Sequence, residues 1–458
     1  MPVNSFDNYY MSWRPALSED EKPIYKALAK KLEEDIISGK LKPGTRLPPQ
    51  RELADYLDIN LSTVQRAFRI CSDKGLLSGN VGSGTFVSYA SSTDFLKGRT
   101  TENIPLDITG PYPIDISEMD TVIRELRKND RIDEFFRYMP KDLPRYQRGA
   151  AEVLKKVGCE ISPDKVLFAN GGQNALAAVF AGVFRPGDKI GTDPLTYSNI
   201  KMTAQTFGVQ LYPIDWEGGH VSEEGIQYAV RNYGIEGLYL QPFLHNPTGL
   251  VMEEKARKMV ASVAIENDLT VIEDGMYNSF ITNIGNTIHK LAPDNTIFIF
   301  SLSKTVNPAM RLRYVAAGEK YNKAISDALY SINLTPSPLL MELAYRLSVD
   351  GGMDELINRR MSGIVERNRI ADDILADHGL MPNPINPHRW LLLPDGVSSI
   401  DFEKRLKERG VSVWASERFS VGHIVTSEAI RLSVCGPQSS MELKRGLEII
   451  KEELDAIR

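Results

Sequence analysis

The chain has 458 residues, of which 42% are hydrophobic and 25% charged, and its formal net charge is −6. This composition excludes a wholly disordered or collagen-like chain, and the length is enough for about three domains. The three cysteines lie far apart without a CxxC pair and the six histidines are scattered. We therefore expect neither a disulfide scaffold nor a metal site. No apolar run is long enough to span a bilayer and no signal peptide is evident, so we expect a cytoplasmic protein.

The first periodic segment is predicted to form three short helices and a hairpin. Helical spacing runs from Tyr25 to Ile36, and Pro49 is well placed to open a second helix. Asn60 or Ser62 can cap a third helix. The inner stripe of this helix is Val64, Ala67, Phe68 and Cys71. Two short apolar strands flank the glycine-rich sequence GNVGSG, which predicts a hairpin. This is the layout of a winged helix-turn-helix, the head of the protein, over residues 15–89.

The predicted third helix turns polar and basic side chains away from its apolar stripe, as a helix in a DNA major groove requires. These side chains are Ser62, Thr63, Gln65, Arg66 and Arg69. Arg51, early in the second helix, can place a guanidinium beside a phosphate. Residues 38–88 carry seven basic and four acidic residues, a net charge of +3. The alternative is that these are only the solvated faces of a small helical domain.

The sequence motifs of this segment provide further evidence for a DNA-binding head. The pieces GKLKPGTRLPPQRELA, STV and GSGTFV closely resemble the GntR-type winged helix of bacterial transcription regulators. The resemblance implies contacts with double-stranded DNA for Arg51, for Gly82 in the wing loop, and for the recognition helix. The recognition-helix residues concerned are Ser62, Thr63 and Gln65. Leu61 stands where the family usually carries an arginine, which leaves the operator sequence open.

Residues 90–105 are polar and have no sustained apolar period, so they are predicted to form a short linker. Beyond the linker, strands alternate with helices over VLFAN, KIGTDP, VQLYPID, GLYLQP, LTVIEDG and TIFIFSLS. This alternation predicts a largely parallel sheet with helices on both faces. The pattern of short strands and helices over residues 350–458 predicts a smaller α+β lobe. The predicted body of the protein, residues 106–458, is thus an α/β domain with a small C-terminal lobe.

Lys304 ends an apolar stretch in the sequence FSLSKTVNPAMRLRY, with Ser301 and Ser303 before it and Arg311 after it. A lysine that forms a Schiff base must be partly desolvated so that its amine can be neutral. Nearby hydroxyl and guanidinium groups are suited to a phosphate. Taken alone, a lysine at a strand end is more often a surface residue whose stem is buried.

Three further motifs fit the same chemistry. Asp274 ends a predicted strand, followed by Tyr277, and a carboxylate there can keep a pyridine nitrogen protonated. Residues 171–173, two glycines and a glutamine, offer backbone amides to an anion at a helix N-terminus. Asn246 lies in a turn after a strand, where its amide could donate to a phenolic oxygen. Each motif alone is also typical of an ordinary turn.

In this order, GGQNAL, HNPTG, EDGMY and SLSK followed by Arg311 resemble the fold-type I, aspartate-aminotransferase-like enzymes, from about Leu106 to the C-terminus. The resemblance implies the cofactor pyridoxal 5'-phosphate, bound to Lys304 as a Schiff base. It implies that Asp274 pairs with the ring nitrogen and that Asn246 and Tyr277 reach the ring hydroxyl.

The resemblance assigns the remaining parts of the site as well. Tyr197 would stack on the ring face. The phosphate would be held by Gly172, Gln173, Ser301, Ser303 and Arg311. The sequence AIRLSVC matches the family's strand whose arginine, here Arg431, grips the α-carboxylate of an amino acid, for which a bidentate guanidinium is suited. An arginine that points outward from a strand is the alternative.

A DNA-binding head followed by an aminotransferase-like body is the order found in MocR-like regulators. We therefore expect a transcriptional regulator that senses pyridoxal 5'-phosphate, an amino acid, or both, and acts as a homodimer on a DNA operator. The alternative is an active aminotransferase whose winged helix is an autoregulatory appendage. The catalytic inventory does not decide between them. The sequence identifies neither the effector nor the operator.

Overall fold

The computed structural model describes residues 11–17, 22–38, 40–41, 45–73, 76–80, 84–87, 103–128, 132–136, 139–422 and 427–457. In the head it contains helices α1 (Ile24–Ile37), α2 (Gln50–Leu57) and α3 (Leu61–Asp73), followed by the antiparallel strands β1 (Leu77–Asn80) and β2 (Gly84–Val87). The predicted helices and hairpin are confirmed. Gly82 and most of the predicted linker lie outside the described residues.

The head has its own apolar core, and the sequence pattern of α3 explains how it forms. Val64, Ala67, Phe68 and Cys71 are all buried, against apolar residues of α1 and α2. Asn60 precedes α3, and its carbonyl oxygen accepts a hydrogen bond of 2.9 Å from the Thr63 amide. A stripe at positions i, i+3, i+4 and i+7 buries one face of a helix and leaves the opposite face exposed.

The body follows with a long series of helices and strands. In chain order they are β3 (Ile104–Pro105), α4 (Ser117–Lys128), α5 (Leu143–Lys156), β4 (Val166–Ala169), α6 (Gly172–Val183), β5 (Lys189–Thr192), α7 (Ser198–Phe207), β6 (Gln210–Pro213), β7 (Trp216–Glu217), β8 (His220–Val221), α8 (Glu223–Tyr233), β9 (Gly237–Leu240), α9 (Glu254–Glu266), β10 (Thr270–Asp274), α10 (Ile288–Leu291), β11 (Thr296–Ser301), β12 (Arg313–Ala317), α11 (Glu319–Asn333), α12 (Pro338–Val349), α13 (Gly352–Leu375), β13 (His388–Leu392), α14 (Ser399–Glu408), β14 (Val411–Ser412), β15 (Trp414–Ala415), β16 (Ala429–Ser433) and α15 (Ser440–Asp455).

The main sheet of the described body has the strand order β4-β12-β11-β10-β9-β5-β6. The pairs from β11 to β6 are parallel, while β12 is antiparallel to both β11 and β4. The six predicted strands are present, and β12 is a strand that the pattern did not predict. The chain between β11 and β12 is too short for the crossover that a parallel pair requires, so β12 returns antiparallel.

This topology gathers the chemical motifs at one edge of the sheet. Asp274 ends β10, Lys304 follows β11, and Asn246 lies in the turn after β9. Gly172 begins α6, directly after β4. Since the parallel strands β9, β10 and β11 end at the same edge, these residues converge there. Such carboxyl edges are where open α/β sheets bind ligands.

The small lobe contains the antiparallel sheet β13-β16-β15, with Arg431 in β16 opposite Trp390 and Trp414. Next to this sheet, β3 pairs in parallel with β14. Ile104 and Pro105, which the sequence pattern placed in the linker, are therefore a strand of the body. Among the described helices, none offers the continuous apolar length that a membrane span would need.

Candidate cofactor and effector site

Lys304 lies just beyond β11, and its amine points toward Thr109, near the N-terminal end of the body. Its Nζ donates to Thr109, at 2.9 Å to the carbonyl oxygen and 3.3 Å to Oγ1. Burial lowers the pKa of Lys304 to about 8, and the positive charges of Arg313 and Arg431 act in the same direction. An appreciable fraction of the amine is therefore neutral near neutral pH, as a nucleophilic lysine requires.

Asp274 is buried, and its carboxylate is hydrogen-bonded on both oxygens. Oδ2 accepts from the Tyr239 hydroxyl at 2.9 Å and from Gln241 Nε2 at 3.4 Å. Oδ1 lies 3.3 Å from Arg313 Nη1. The sequence pattern gave no role to Arg313, because β12 was not recognised as a strand, and it is the first residue of β12 that lies beside Asp274.

The glycine pair before α6 lies against two guanidinium groups. Gly171 has a φ of 86°, which favours glycine. A Cβ atom at Gly171 would lie 2.6 Å from Arg311 Nη2, and one at Gly172 would lie 2.7 Å from Arg313 Nη2. The helix N-terminus and two positive side chains together form a concentrated anion site.

Hydroxyl groups and the predicted ring-stacking residue complete this side of the site. The Ser303 amide donates to Ser301 Oγ at 3.2 Å, and Ser303 Oγ is buried without a hydrogen-bond partner among the described residues. Gln173 Nε2 donates to the Tyr197 hydroxyl at 3.3 Å, as does Asn199 Nδ2 at 3.2 Å. The side chain of Gln173 therefore holds Tyr197 in place.

Arg431 faces the same site from the small lobe. It is only 2% exposed, so the alternative of an outward arginine is wrong. Its Nη1 donates to Asn246 Oδ1 at 2.9 Å and its Nη2 to the Asp107 carbonyl at 2.5 Å. Its Cζ lies 4.5 Å from the centroid of the Trp414 ring and 4.9 Å from that of Phe419. Burial lowers the pKa of Arg431 to about 10; the group stays charged at neutral pH.

Tyr277 lies in the interior between the two lobes. Its ring is buried, 5.6 Å from the ring of His388 and stacked at 6.2 Å on that of Phe280, measured between centroids. Burial raises the pKa of Tyr277, so its hydroxyl keeps its proton and can donate it in a hydrogen bond.

The turn that carries Asn246 is supported by a buried polar cluster that the sequence pattern did not reveal. His245 Nδ1 lies 2.8 Å from Thr248 Oγ1, and His245 Nε2 lies 3.6 Å from Asp193 Oδ2. Asp193 also accepts from Trp216 Nε1 at 2.7 Å. Burial lowers the pKa of His245 to about 4 and raises that of Asp193 to about 7. The histidine is therefore neutral and acts as a structural support for the turn.

Residues 106–109, which we name the strap, run across the site. The Leu106 carbonyl accepts from the Ser433 amide at 2.6 Å, the Asp107 carbonyl accepts from Arg431, and Thr109 accepts from Lys304. The strap thus contacts the two residues that the sequence assigned to the aldehyde and the carboxylate. Its four residues, LDIT, match none of the motifs of the sequence analysis, so the sequence carried no signal of this role.

The predicted DNA-binding residues that the structure describes lie on α2 and α3 of the head. Arg51, Ser62, Gln65 and Arg66 are exposed and Thr63 is half-buried. The Arg66 guanidinium lies 4.4 Å from the centroid of the Tyr25 ring. Arg46 lies beside the wing, because a Cβ atom on Gly84 would come 2.9 Å from Arg46 Nε.

Comparisons with known proteins agree with this two-part architecture. The family of bacterial regulatory proteins of the gntR type matches residues 24–87, and aminotransferase class I and II matches residues 109–450. The chain is 42% identical over 459 residues, 99% of each protein, to the uncharacterized HTH-type transcriptional regulator YdeF of Bacillus subtilis (strain 168). This chain belongs to the GntR-type transcriptional regulators with an aminotransferase class I and II body. The resemblance to MocR-like regulators is thereby confirmed.

More distant similarities extend over the same architecture. The chain is 24% identical over 408 residues, covering 88% of this chain and 92% of the relative, to the vitamin B6 salvage pathway transcriptional repressor PtsJ of Salmonella typhimurium. An archaeal alanine:glyoxylate aminotransferase superposes with a TM-score of 0.72 at 21% identity, covering 79% of this chain and 93% of that structure. The latter similarity shows the fold of the body.

The class of the body implies pyridoxal 5'-phosphate, and the residues present fit that group. The glycine cradle with Arg311 and Arg313 suits a phosphate, and Lys304 suits an aldehyde. Two buried polar atoms, Ser303 Oγ and Arg313 Nε, have no partner among the described residues. Buried polar groups are normally satisfied, so these atoms indicate a polar ligand at this place.

Proposed function

We propose that this transcriptional regulator is a cytoplasmic sensor of pyridoxal 5'-phosphate, of an amino acid, or of both. In this proposal the head binds a double-stranded DNA operator and the body binds the effector. The observation that supports it best is the strap. This segment follows the predicted linker and contacts both Lys304 and Arg431, so a ligand at either residue would compete with a contact of the chain that leads to the head.

Each part of the cofactor has a counterpart in the site. Arg311, Gly172, Gln173, Ser301 and Ser303 would hold the phosphate. The residues around the ring would be Asp274 at the nitrogen, Asn246 and Tyr277 at the hydroxyl, and Tyr197 on its face. When bound, the cofactor supplies an aldehyde for an amine and an electron-withdrawing ring.

The protein's own groups would then respond in a defined way. If Lys304 held the cofactor's aldehyde, its Nζ would no longer be available as an ammonium donor to the Thr109 carbonyl. A carboxylate held by Arg431 would compete with the Asp107 carbonyl for the guanidinium. Both changes weaken the contacts of the strap. A ligand that favours one arrangement of the strap shifts the equilibrium between the states of the whole chain.

The proposal includes a homodimer, whose two heads would bind two half-sites of an operator. Two exposed large apolar side chains between α4 and α5 are candidates for contact with a second copy. Phe136 is 71% exposed and Met139 is 52% exposed.

The second candidate function is an active aminotransferase that regulates its own gene. It is favoured by the presence of Lys304, Asp274, Asn246, Tyr277 and Arg431, since turnover requires all five. Formation of a keto acid from an amino acid by the loaded protein would identify this function.

The proposed function is tested by adding the twenty amino acids one at a time to the protein loaded with pyridoxal 5'-phosphate. Visible absorbance and affinity for the protein's own upstream DNA are followed together. We expect at least one amino acid to change both signals. Lys304→Ala should abolish the absorbance band and the DNA response, whereas Lys258→Ala, on the exposed face of α9, should change neither. A wild-type protein that retains no visible absorbance once excess cofactor has been removed would refute the cofactor assignment. A DNA affinity that never responds would refute sensing.

A further inference from the structure

Arg313 is a buried guanidinium for which the proposed cofactor contacts assign no role. It is the first residue of β12, 5% exposed, with Nη1 3.3 Å from Asp274 Oδ1 and Nη2 3.4 Å from the sulfur atom of Met276. Its guanidinium also lies against Gly172. It therefore stands between the residue proposed for the ring nitrogen and the glycines proposed for the phosphate.

We propose that Arg313 prevents Asp274 from holding the cofactor's ring nitrogen in its protonated form, and thereby tunes the body for sensing rather than for turnover. This inference rests on the proposed function, because it concerns the same cofactor site. It assigns to Arg313 the role of a positioning residue that acts through Asp274.

The charges around Asp274 support this role. A buried carboxylate attracts a pyridinium, but the guanidinium on Oδ1 carries the opposite charge and cancels that attraction. On Oδ2 the carboxylate already accepts from Tyr239 and Gln241. A ring nitrogen at Asp274 would thus meet an ion pair of net charge zero. A neutral pyridine withdraws electrons less strongly than a pyridinium, which slows turnover without preventing capture by Lys304.

The sheet fixes the position of Arg313, which shares the proposed phosphate site with Arg311. In the antiparallel register of β12, Arg313 lies opposite Ser301 of β11 and Ala169 of β4. Arg311 already supplies a guanidinium beside Gly171. Arg313 also contributes to the low pKa of Lys304, after burial. One side chain thus favours a neutral lysine and disfavours a protonated ring.

The test compares the binding of pyridoxal 5'-phosphate with that of its deaza analogue, in which a CH group replaces the ring nitrogen. Dissociation constants are measured by absorbance and by quenching of tryptophan fluorescence. Wild-type protein should bind the two compounds within about threefold of each other. Arg313→Gln should prefer the natural cofactor by about tenfold, a difference of ~1.4 kcal/mol. Arg313→Lys, which keeps the charge, should behave as wild type.

Two further variants separate the ring nitrogen from the phosphate. Adding Asp274→Asn to Arg313→Gln should abolish the new preference, because no carboxylate is left for the nitrogen. Arg311→Gln should weaken the binding of both compounds by the same factor. Circular dichroism checks the fold of each variant.

An unchanged ratio in Arg313→Gln would overturn the inference. So would a tenfold preference for the natural cofactor in wild type, a result that needs no variant to fold. Wild-type protein that binds neither compound would instead refute the proposed function, and this inference with it.

Discussion

At the scale of single residues, the site depends on burial that changes what ordinary side chains do. Lys304 is an amine whose pKa is lowered to about 8 by burial and by the charges of Arg313 and Arg431. Arg431 stays charged, but two aromatic rings and the small lobe shield it from water. A cationic group in such a setting binds a carboxylate more strongly than it would on the surface.

The first prediction concerns the pH dependence of cofactor capture. Only the neutral amine attacks an aldehyde, so the rate of capture should rise with pH and level off above a midpoint near 8. At pH 7.5 roughly a quarter of the amine would be neutral, against about a thousandth for an ordinary lysine. Stopped-flow absorbance between pH 6 and pH 10 measures the midpoint. A midpoint above pH 10 would show that Lys304 is not desolvated.

The second prediction concerns the effector. Arg431→Gln should raise the amino-acid concentration needed to change the spectrum by about 10- to 100-fold, the value of a lost charge-assisted hydrogen-bond pair. Cofactor affinity should change far less, because the phosphate contacts remain. Arg124→Gln, an exposed arginine on α4, is the matched control. If the response of Arg431→Gln equals that of wild type, the effector is not held there by its carboxylate.

At the scale of secondary structure elements, α3 and the strap have the strongest consequences. The apolar face of α3 completes the core of the head, which leaves its polar face free for DNA. The strap follows β3, whose pairing with β14 fixes it to the small lobe. Both elements join a structural contact on one side to a proposed functional contact on the other.

The third prediction tests the DNA-binding face. Arg51→Ala combined with Arg66→Ala should weaken operator binding and reduce the slope of log K against log salt by about 2, one per lost phosphate contact. Because Arg66 also packs on Tyr25, thermal unfolding must show that the head remains folded. Lys30→Ala, on the exposed face of α1, should leave the slope unchanged. An unaltered slope in the double variant would contradict the assignment of this face.

At the scale of the whole molecule, the described core residues of the head and those of the body form separate clusters. Communication between the two parts must therefore pass through the chain that joins them or through contacts at their surfaces. We favour communication through the connecting segment, because this segment enters the body directly beside Lys304 and Arg431.

The fourth prediction follows from this arrangement. Insertion of about ten glycine and serine residues after residue 96 makes the connection longer and more flexible. The spectral response to the amino acid should persist at wild-type concentrations, while the response of DNA affinity should be reduced several-fold. Paired absorbance and DNA-binding titrations measure both in one sample. A full DNA response with the longer linker would show that the signal takes another route.

Much of this protein could be predicted from its sequence, because the informative features are local. The helical stripe of α3 repeats with a fixed period, and the central strands of the main sheet are short buried runs that alternate with helices. The motifs at Lys304, Asp274 and Asn246 each follow a strand, and parallel strands end at a common edge. The sequence could therefore predict the edge at which they meet.

The tertiary structure decided what depends on residues distant in the chain. The antiparallel return of β12, which places Arg313 beside Asp274, depends on pairing with β4 as well as β11. The contacts of residues 106–109 with Lys304 and Arg431 join positions about 200 and more than 300 residues apart. Such contacts leave no periodic pattern in either segment, because they are made by backbone carbonyls and single side chains. Only the folded chain brings these groups within hydrogen-bonding distance.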